Sequence, residues 1–272
     1  MVEIIAHRGA RSLAPENTLA AARLAHELGA HRWETDASLT MDRHLVLFHD
    51  SSLTRCTNAP EIFAYDPENP NGLDRLGVYT LMELELLDAG SCFEKNDPFS
   101  ILGEVAPEAL AAYRKETIPT LYDGLVLTRE LDWQINVELK DHGNEPELYT
   151  TASRALAEIA RAGISHEQVT ISSFNHGWLR WVRDRAADIE IQALVGDDDN
   201  IPLNFDAPVF TNAEFPVLNI NATLITPQTL KALKSRGKTV NLFTVNSPRD
   251  YMRFVNAGAD GIFTDFPQRF LR

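Results

Sequence analysis

The sequence predicts an α/β fold, a (β/α)8 TIM barrel, and three observations carry that expectation. Short apolar strand patterns alternate with helical patterns close to eight times, which implies parallel pairing. The chain has 272 residues, typical of one such barrel and long for a single sandwich or bundle. No Gly-rich dinucleotide fingerprint follows any strand, which disfavours an open doubly wound sheet. A single domain is expected over residues 1–272, with an insertion subdomain at 58–115.

Ile4-Ile5-Ala6 is the first strand and ends in His7-Arg8-Gly9. Pro15 opens a helical pattern with Ala21, Leu24, Ala25 and Leu28 on one face and Gly29 as its stop. The second strand is Arg32-Trp33-Glu34-Thr35-Asp36. Leu45-Val46-Leu47-Phe48 follows and ends in His49-Asp50, short enough to be a hairpin extension rather than a barrel unit. From about 58 to 115 the rhythm breaks. Residues 66–72 are a dense cluster of turn formers, and Thr80 caps a short helix through Leu81, Leu84 and Leu87. The insertion folds over one face of the barrel, either as a cover for the site or as an appended subdomain.

The alternation then returns. Residues 121–130 read as helix, 134–140 as strand and 146–162 as a helix closed by Gly163. Residues 169–173 are a strand, 178–185 a helix and 191–195 a strand. Asp197-Asp198-Asp199 begins an irregular stretch that reads as solvated loop. Residues 217–220 form a weaker strand, 227–236 a helix before Gly237, 239–245 a strand, 248–256 a helix and 260–265 the last strand.

Composition bounds the partners. With 25 basic and 39 acidic residues the net charge is −14, which argues against nucleic acid or stable association with an anionic membrane. An anionic substrate stays open, because a bound divalent ion reverses the local field. Cys56 and Cys92 are the only cysteines. A disulfide between them is one option; two thiols in so long a chain favour a reducing, cytoplasmic setting. The first residues enter a strand without a basic segment and apolar run, so no signal peptide is expected. No apolar run is long enough to span a bilayer.

Active sites of such barrels collect at the carboxyl ends of the strands. Glu34 and Asp36 end the second strand there. Side chains at i and i+2 of a strand share a face, so both carboxylates converge on one volume while Trp33 and Thr35 turn away. Two carboxylates about 4 Å apart repel by roughly 4 kcal/mol at an effective dielectric near 20. A cation between them removes that cost, and oxygen ligands suit Mg2+ or Ca2+ better than zinc. The plain alternative is a surface strand with two solvated acids. His7 and Arg8 end the first strand and His49 the hairpin extension. Asn136, Glu138 and Lys140 share one face of the next strand. Ser172 or Ser173, with Phe174, ends the following one, and Asn246 and Asp265 close the last two. Each alone has a structural reading: His7 bonding a carbonyl, Arg8 bracing the loop to Pro15, Lys140 pairing with Glu138, Phe243 filling the core. Collected at one mouth, they point to chemistry.

His7-Arg8-Gly9 with Pro15-Glu16-Asn17-Thr18, then Glu34-x-Asp36 and His49-Asp50, resembles the glycerophosphodiester phosphodiesterase family. The likeness continues through Val137-Glu138-Leu139-Lys140, Ser173-Phe174, Thr244-Val245-Asn246 and Gly261-Ile262-Phe263-Thr264-Asp265, nearly the whole chain. The resemblance implies a phospholipase-C-like TIM barrel with an insertion after the His-Asp motif, where the rhythm breaks here. It implies divalent-metal ligands at Glu34, Asp36 and Glu138, and an acid/base pair at His7 and His49. It further implies phosphate contacts at Arg8 and Lys140, with Phe174 and Phe243 also on the substrate. The expected function is metal-dependent hydrolysis of glycerophosphodiesters to glycerol 3-phosphate and an alcohol, in lipid and glycerol metabolism. The expected cofactor is Mg2+ or Ca2+, and the expected partner a small-molecule phosphodiester. Two departures stand out. The family usually has Trp where Phe243 stands, which bears on the alcohol rather than the phosphate. Asn219-Ile220-Asn221 replaces a segment where relatives often carry a histidine.

Three other readings share these residues. A lysophospholipase D or sphingomyelinase D-like enzyme on the same barrel needs an apolar groove for an acyl chain. Lys140 at a strand end also suits a Schiff-base aldolase. A noncatalytic barrel would bind a phosphorylated ligand without turning it over.

Overall fold

A computed structural model describes residues 2–63 and 75–271 of the chain; the turn cluster at 66–72 lies outside the described residues. Nine strands make one sheet among the described residues. They are β1 (Glu3–His7), β2 (Arg32–Leu39), β3 (Leu45–Leu47), β4 (Ile135–Leu139), β5 (Val169–Ser173), β6 (Glu190–Val195), β7 (Val217–Asn221), β8 (Thr239–Phe243) and β9 (Gly261–Thr264). β1 pairs in parallel with both β2 and β9, so eight of them close into a barrel in the order β1-β9-β8-β7-β6-β5-β4-β2. β3 runs antiparallel against β2 as the expected hairpin extension.

The apolar core lies between barrel and helices. Trp33, Ile135, Val137, Ile171, Ile191 and Val240 on the strands pack with Leu125, Ile159, Leu179 and Leu230 on the helices. The alternate residues face inside, because strand side chains change face at each step. There the barrel is polar. Asn136, Ser172, Gln192, Asn219 and Asn241 are buried. Ser172 Oγ donates to Asn136 Oδ1 at 2.7 Å, Asn136 Nδ2 to Gln192 Oε1 at 3.2 Å, and Asn241 Nδ2 to Asn219 Oδ1 at 2.9 Å. Register then decides what stands above this layer. Glu34 is the partner of His7 across β1–β2 and of Asn136 across β2–β4; Asp36 is the partner of Glu138.

Several boundaries differ from the expectation. Pro15 does not open the first helix, which spans Leu19–Glu27 with Thr18 as its cap. The Thr18 hydroxyl donates to the Pro15 carbonyl at 2.7 Å and accepts from Ala21 N at 3.2 Å. Residues 15–17 are thereby left as a turn, free to aim Glu16 and Asn17 at the barrel mouth. The helix expected from 146 begins at Thr150, because Glu145 supplies the missing acceptor for Thr150 N at 2.7 Å and Thr151 N at 2.9 Å. The helix expected from 178 spans His176–Arg183, since Asn175 caps it from further upstream. β8 and β9 are shorter than read, ending at Phe243 and Thr264.

Within the insertion the described helices are short: Ala59–Ile62, Leu81–Leu84, Ser91–Asn96 and Pro107–Tyr113. Thr80 and Glu83 form a capping box. A second apolar cluster joins Leu76, Leu84 and Leu87 to Val46 and Phe48 on the hairpin.

The turn after β1 is tight. Gly9 has φ +80°, and a Cβ there would lie 2.6 Å from the Ala21 carbonyl carbon. Ala10 N donates to Ala21 O at 2.9 Å in the same contact. Gly9→Ala is therefore expected to destabilise the fold by about 3 kcal/mol or more, combining left-handed strain with overpacking. Urea unfolding checks this; a loss under about 0.5 kcal/mol would contradict the stated packing.

Candidate active site

The register places three carboxylates on the inner face where β2 and β4 end. One oxygen each from Glu34, Asp36 and Glu138 lies within 4.8 Å of the others. Glu34 and Asp36 are 2% and 1% exposed. Glu34 Oε1 and Asp36 Oδ1 are buried with no hydrogen-bond partner among the described residues. Burial, then Asp36 and Glu138, pushes the Glu34 carboxyl well above the usual range, against Arg8. Burial opposes the charge on Asp36 too, but His49, Arg8, Lys140 and Asn17 together hold its carboxyl below the usual range. Buried carboxylate oxygens that accept no hydrogen bond are what a hard divalent cation satisfies, so this cluster fits a metal ion.

Loop residues hold the acids in place. Arg8 has φ 56° and Asn17 φ 58°, unusual backbone for side chains other than Gly. Each is fixed by site contacts: Arg8 N donates to Glu34 Oε2 at 2.9 Å, and Asn17 N to Arg8 O at 3.1 Å. Asn17 Nδ2 donates to Asp36 Oδ2 at 2.9 Å, while its Oδ1 accepts from Thr35 Oγ1 at 2.8 Å and Asp36 N at 3.1 Å. Arg8 Nε stands 3.2 Å from Asp36 Oδ2. Lys140 Nζ lies 2.6 Å from Glu138 Oε1 and 3.7 Å from Asp36 Oδ1. Burial opposes the lysine's charge, yet Glu138 and Asp36 raise its pKa.

Each sequence-predicted histidine is backed by a carboxylate. His7 Nδ1 is 2.7 Å from Asp265 Oδ1, and His49 Nδ1 is 2.6 Å from Asp50 Oδ1. Asn246 Nδ2 donates to Asp265 Oδ2 at 2.7 Å. Burial and Arg8 lower the His7 pKa to about 4, outweighing Asp265. Burial opposes the charge on Asp265, but His7 and Arg11 hold it at about 2. Behind both pairs lies Glu16. Its Oε1 accepts from Arg8 Nη1 at 2.8 Å and Arg55 Nη2 at 2.7 Å, and its Oε2 lies 2.8 Å from Arg11 Nη2. Arg55 Nε reaches Asp50 Oδ2 at 2.6 Å, and Arg11 Nη1 is 3.4 Å from Asp265 Oδ1.

A cavity of about 650 Å³ opens over this floor. His7, Arg8, His49, Glu138, Lys140, Phe174 and Phe243 all line it; Glu34 and Asp36 lie with Glu138 in the carboxylate cluster. Phe174 and Phe243 meet edge to face, centroids 6.1 Å apart. The structure thus brings His7, Arg8, His49, Glu138, Lys140, Phe174 and Phe243 to one mouth above Glu34 and Asp36, whereas Asn136 and Ser172 lie in the polar layer beneath it and Asn246 holds Asp265. Sequence reasoning gave no role to Asn17, Glu16, Arg11, Arg55 or His142. The first two were present as a motif; nothing in strand periodicity pointed to the others.

The sequence model of the glycerophosphoryl diester phosphodiesterase family matches residues 7–269. The chain belongs to this family. It is 32% identical over 272 residues to a glycerophosphodiester phosphodiesterase of Caldanaerobacter subterraneus subsp. tengcongensis, covering 98% of this chain and 96% of the relative. A glycerophosphodiester phosphodiesterase of Bacillus altitudinis is 31% identical, covering 100% and 98%. Among solved structures, an Oleispira antarctica phosphodiesterase in complex with the product sn-glycerol-3-phosphate superposes with a TM-score of 0.78 at 27% identity, over 98% of this chain and 94% of that one. This family member is accordingly a phosphoric diester hydrolase, with glycerophosphodiester phosphodiesterase activity. No helix among its described residues is long and apolar enough to cross a membrane.

Because the folded pKa of His7 lies below its ordinary 6.5, protonation favours the unfolded chain. Its contribution to stability is complete above pH 6.5 and is lost as pH falls from 6.5 towards 4. Nitrogen NMR of the metal-free protein should show the His7 ring still uncharged at about pH 5. A midpoint near the ordinary value would contradict the burial of this ring beside Arg8.

Proposed function

We propose that this phosphodiesterase hydrolyses glycerophosphodiesters to glycerol 3-phosphate and an alcohol, using one Mg2+ or Ca2+ ion held by Glu34, Asp36 and Glu138. The observation that carries the metal is the pair of buried oxygens on Glu34 and Asp36 that accept no hydrogen bond among the described residues, in a cluster with Glu138. The product is supported by the ligand of the Oleispira antarctica relative. The cavity favours a small polar substrate: among its described lining residues only Leu139, Phe174 and Phe243 are large and apolar, little for an acyl chain to bury. Free thiols at Cys56 and Cys92 agree with a reducing, cytoplasmic setting. We read the chain as one domain with 58–115 as its insertion.

When bound, the ion supplies positive charge to a nonbridging phosphoryl oxygen. Lys140 and Arg8 bring cationic donors to the same group, and each is kept charged by the carboxylates beside it. His7 is held neutral, the state that accepts a proton from the attacking oxygen. Asp50 Oδ1 lies 2.6 Å from His49 Nδ1, holding the ring so that Nε2 faces the departing alkoxide as its proton donor. Asp265 and Asp50 each engage Nδ1 of their histidine, leaving Nε2 of both for the substrate. Phe174 and Phe243 form an aromatic wall for the alcohol.

Two measurements test the scheme. Adding Mg2+ or Ca2+ at about 100 times its Kd should stabilise the wild type by roughly 2.7 kcal/mol, with no gain in Glu34→Gln or Glu138→Gln, and chelation should abolish turnover. Equal metal stabilisation in all three proteins would place the ion elsewhere. His7→Ala and His49→Ala should each lower kcat by roughly 10²–10⁴-fold, with cooperative unfolding retained. Near-normal turnover of either variant would remove that histidine from the reaction.

A further inference from the structure

A third histidine borders the cavity. His142 lies two residues beyond Lys140 and lines the same mouth as His7 and His49. The mechanism above leaves it without a task.

Its hydrogen bonding fixes which nitrogen is protonated. The Ser38 hydroxyl has one hydrogen and donates it to the Phe48 carbonyl at 2.6 Å. Toward the ring, Ser38 Oγ must therefore be an acceptor, and His142 Nε2 stands 3.0 Å from it. Nε2 then carries the hydrogen, and Nδ1 of the neutral ring is a bare acceptor. Burial, with Lys140 and His49 nearby, keeps the ring uncharged. Among the described residues nothing donates to Nδ1, nor is that atom among the buried unpartnered ones.

Nδ1 of His142 is an uncharged acceptor that carries no hydrogen of its own. Around it stand the cations Lys140 and Arg8 and the carboxyl groups of Asp50, Glu138, Asp141 and Asp197. Neutral polar groups on Ser51, Ser52, Asn175 and Asn221 stand there too. The Asp141 oxygens are already taken, one by Gly143 N at 3.0 Å and the other by Asn175 Nδ2 at 2.9 Å. A carboxylate at the position of His142 would repel a phosphodiester; a neutral nitrogen does not. A phosphodiester monoanion carries no hydrogen-bond donor of its own, whereas a glycerol moiety carries hydroxyls.

We propose that His142 Nδ1 accepts a hydrogen bond from a glycerol hydroxyl of the bound diester, making His142 a specificity-determining residue for this site. The inference rests on the functional reading above and deepens it. A neutral hydrogen bond of this kind contributes about 0.5–1.5 kcal/mol, which corresponds to roughly 2- to 13-fold in kcat/KM.

The test compares glycerophosphocholine with bis(4-nitrophenyl) phosphate, a diester without hydroxyls, in the metal-supplemented full chain. His142→Ala should raise KM for glycerophosphocholine so that its kcat/KM falls about fivefold more than that for the nitrophenyl diester. His142→Asn, whose amide oxygen is an acceptor at a reach similar to Nδ1, should recover part of that selective loss. Equal losses on both diesters, no loss on either, or a loss confined to kcat would overturn the role given to His142 while leaving the functional reading intact. No turnover of glycerophosphocholine by the wild type would overturn the functional reading, and the role of His142 with it.

Discussion

Three carboxylates at one point, two of them buried and one half-buried, are the constraint around which the barrel mouth is organised. Glu34, Asp36 and Glu138 come from two neighbouring strands whose register sets them together, and like charges in a dry site repel strongly. The surroundings answer that repulsion in detail. Arg8 gives its backbone N–H to Glu34 and its guanidinium to Asp36, Lys140 bridges Glu138 and Asp36, and Asn17 clamps Asp36. Even so, Glu34 Oε1 and Asp36 Oδ1 accept no hydrogen bond among the described residues. The protein neutralises most of the acid cluster and leaves the remainder for the proposed ion.

Charge then propagates outward from this centre. Glu16 gathers Arg8, Arg11 and Arg55. Arg11 continues to Asp265 and His7, and Arg55 to Asp50 and His49. An alternating chain of anions and cations thus runs from one histidine to the other, with a branch through Arg8 to Asp36. Side chains tied at both ends lose rotamer freedom once for several contacts, so such a network fixes geometry better than isolated pairs do. The three guanidinia are matched by Glu16, Asp265 and Asp50, so the network positions the histidines without adding net charge behind the cavity.

Much of this was legible in the sequence because strand periodicity is rigid. The i, i+2 spacing of Glu34 and Asp36 fixed their shared face, and the strand-end rule added His7, Glu138 and Lys140. What loops do was not legible. The Pro15 turn looked like a helix start, yet Thr18 begins the helix and frees Glu16 and Asn17 for the site. Arg11 and Arg55 are recruited by tertiary charge contacts with no sequence period. His142 continues the alternation of Glu138 and Lys140 past the strand end, where spacing no longer fixes direction. The polar barrel interior was written in Asn136, Ser172, Gln192, Asn219 and Asn241, but only the closed barrel shows that they face one another.

The claim that everything else leans on is that one hard divalent ion is held by carboxylate oxygens alone from this chain. Titrating the metal-free protein with Mn2+, a paramagnetic stand-in for Mg2+ or Ca2+, and recording pulsed EPR tests it directly. The structure predicts one tightly bound Mn2+ per chain without hyperfine coupling to a directly bound imidazole nitrogen. A bound ion coordinated by histidine nitrogen, or no tight binding at all, would contradict it.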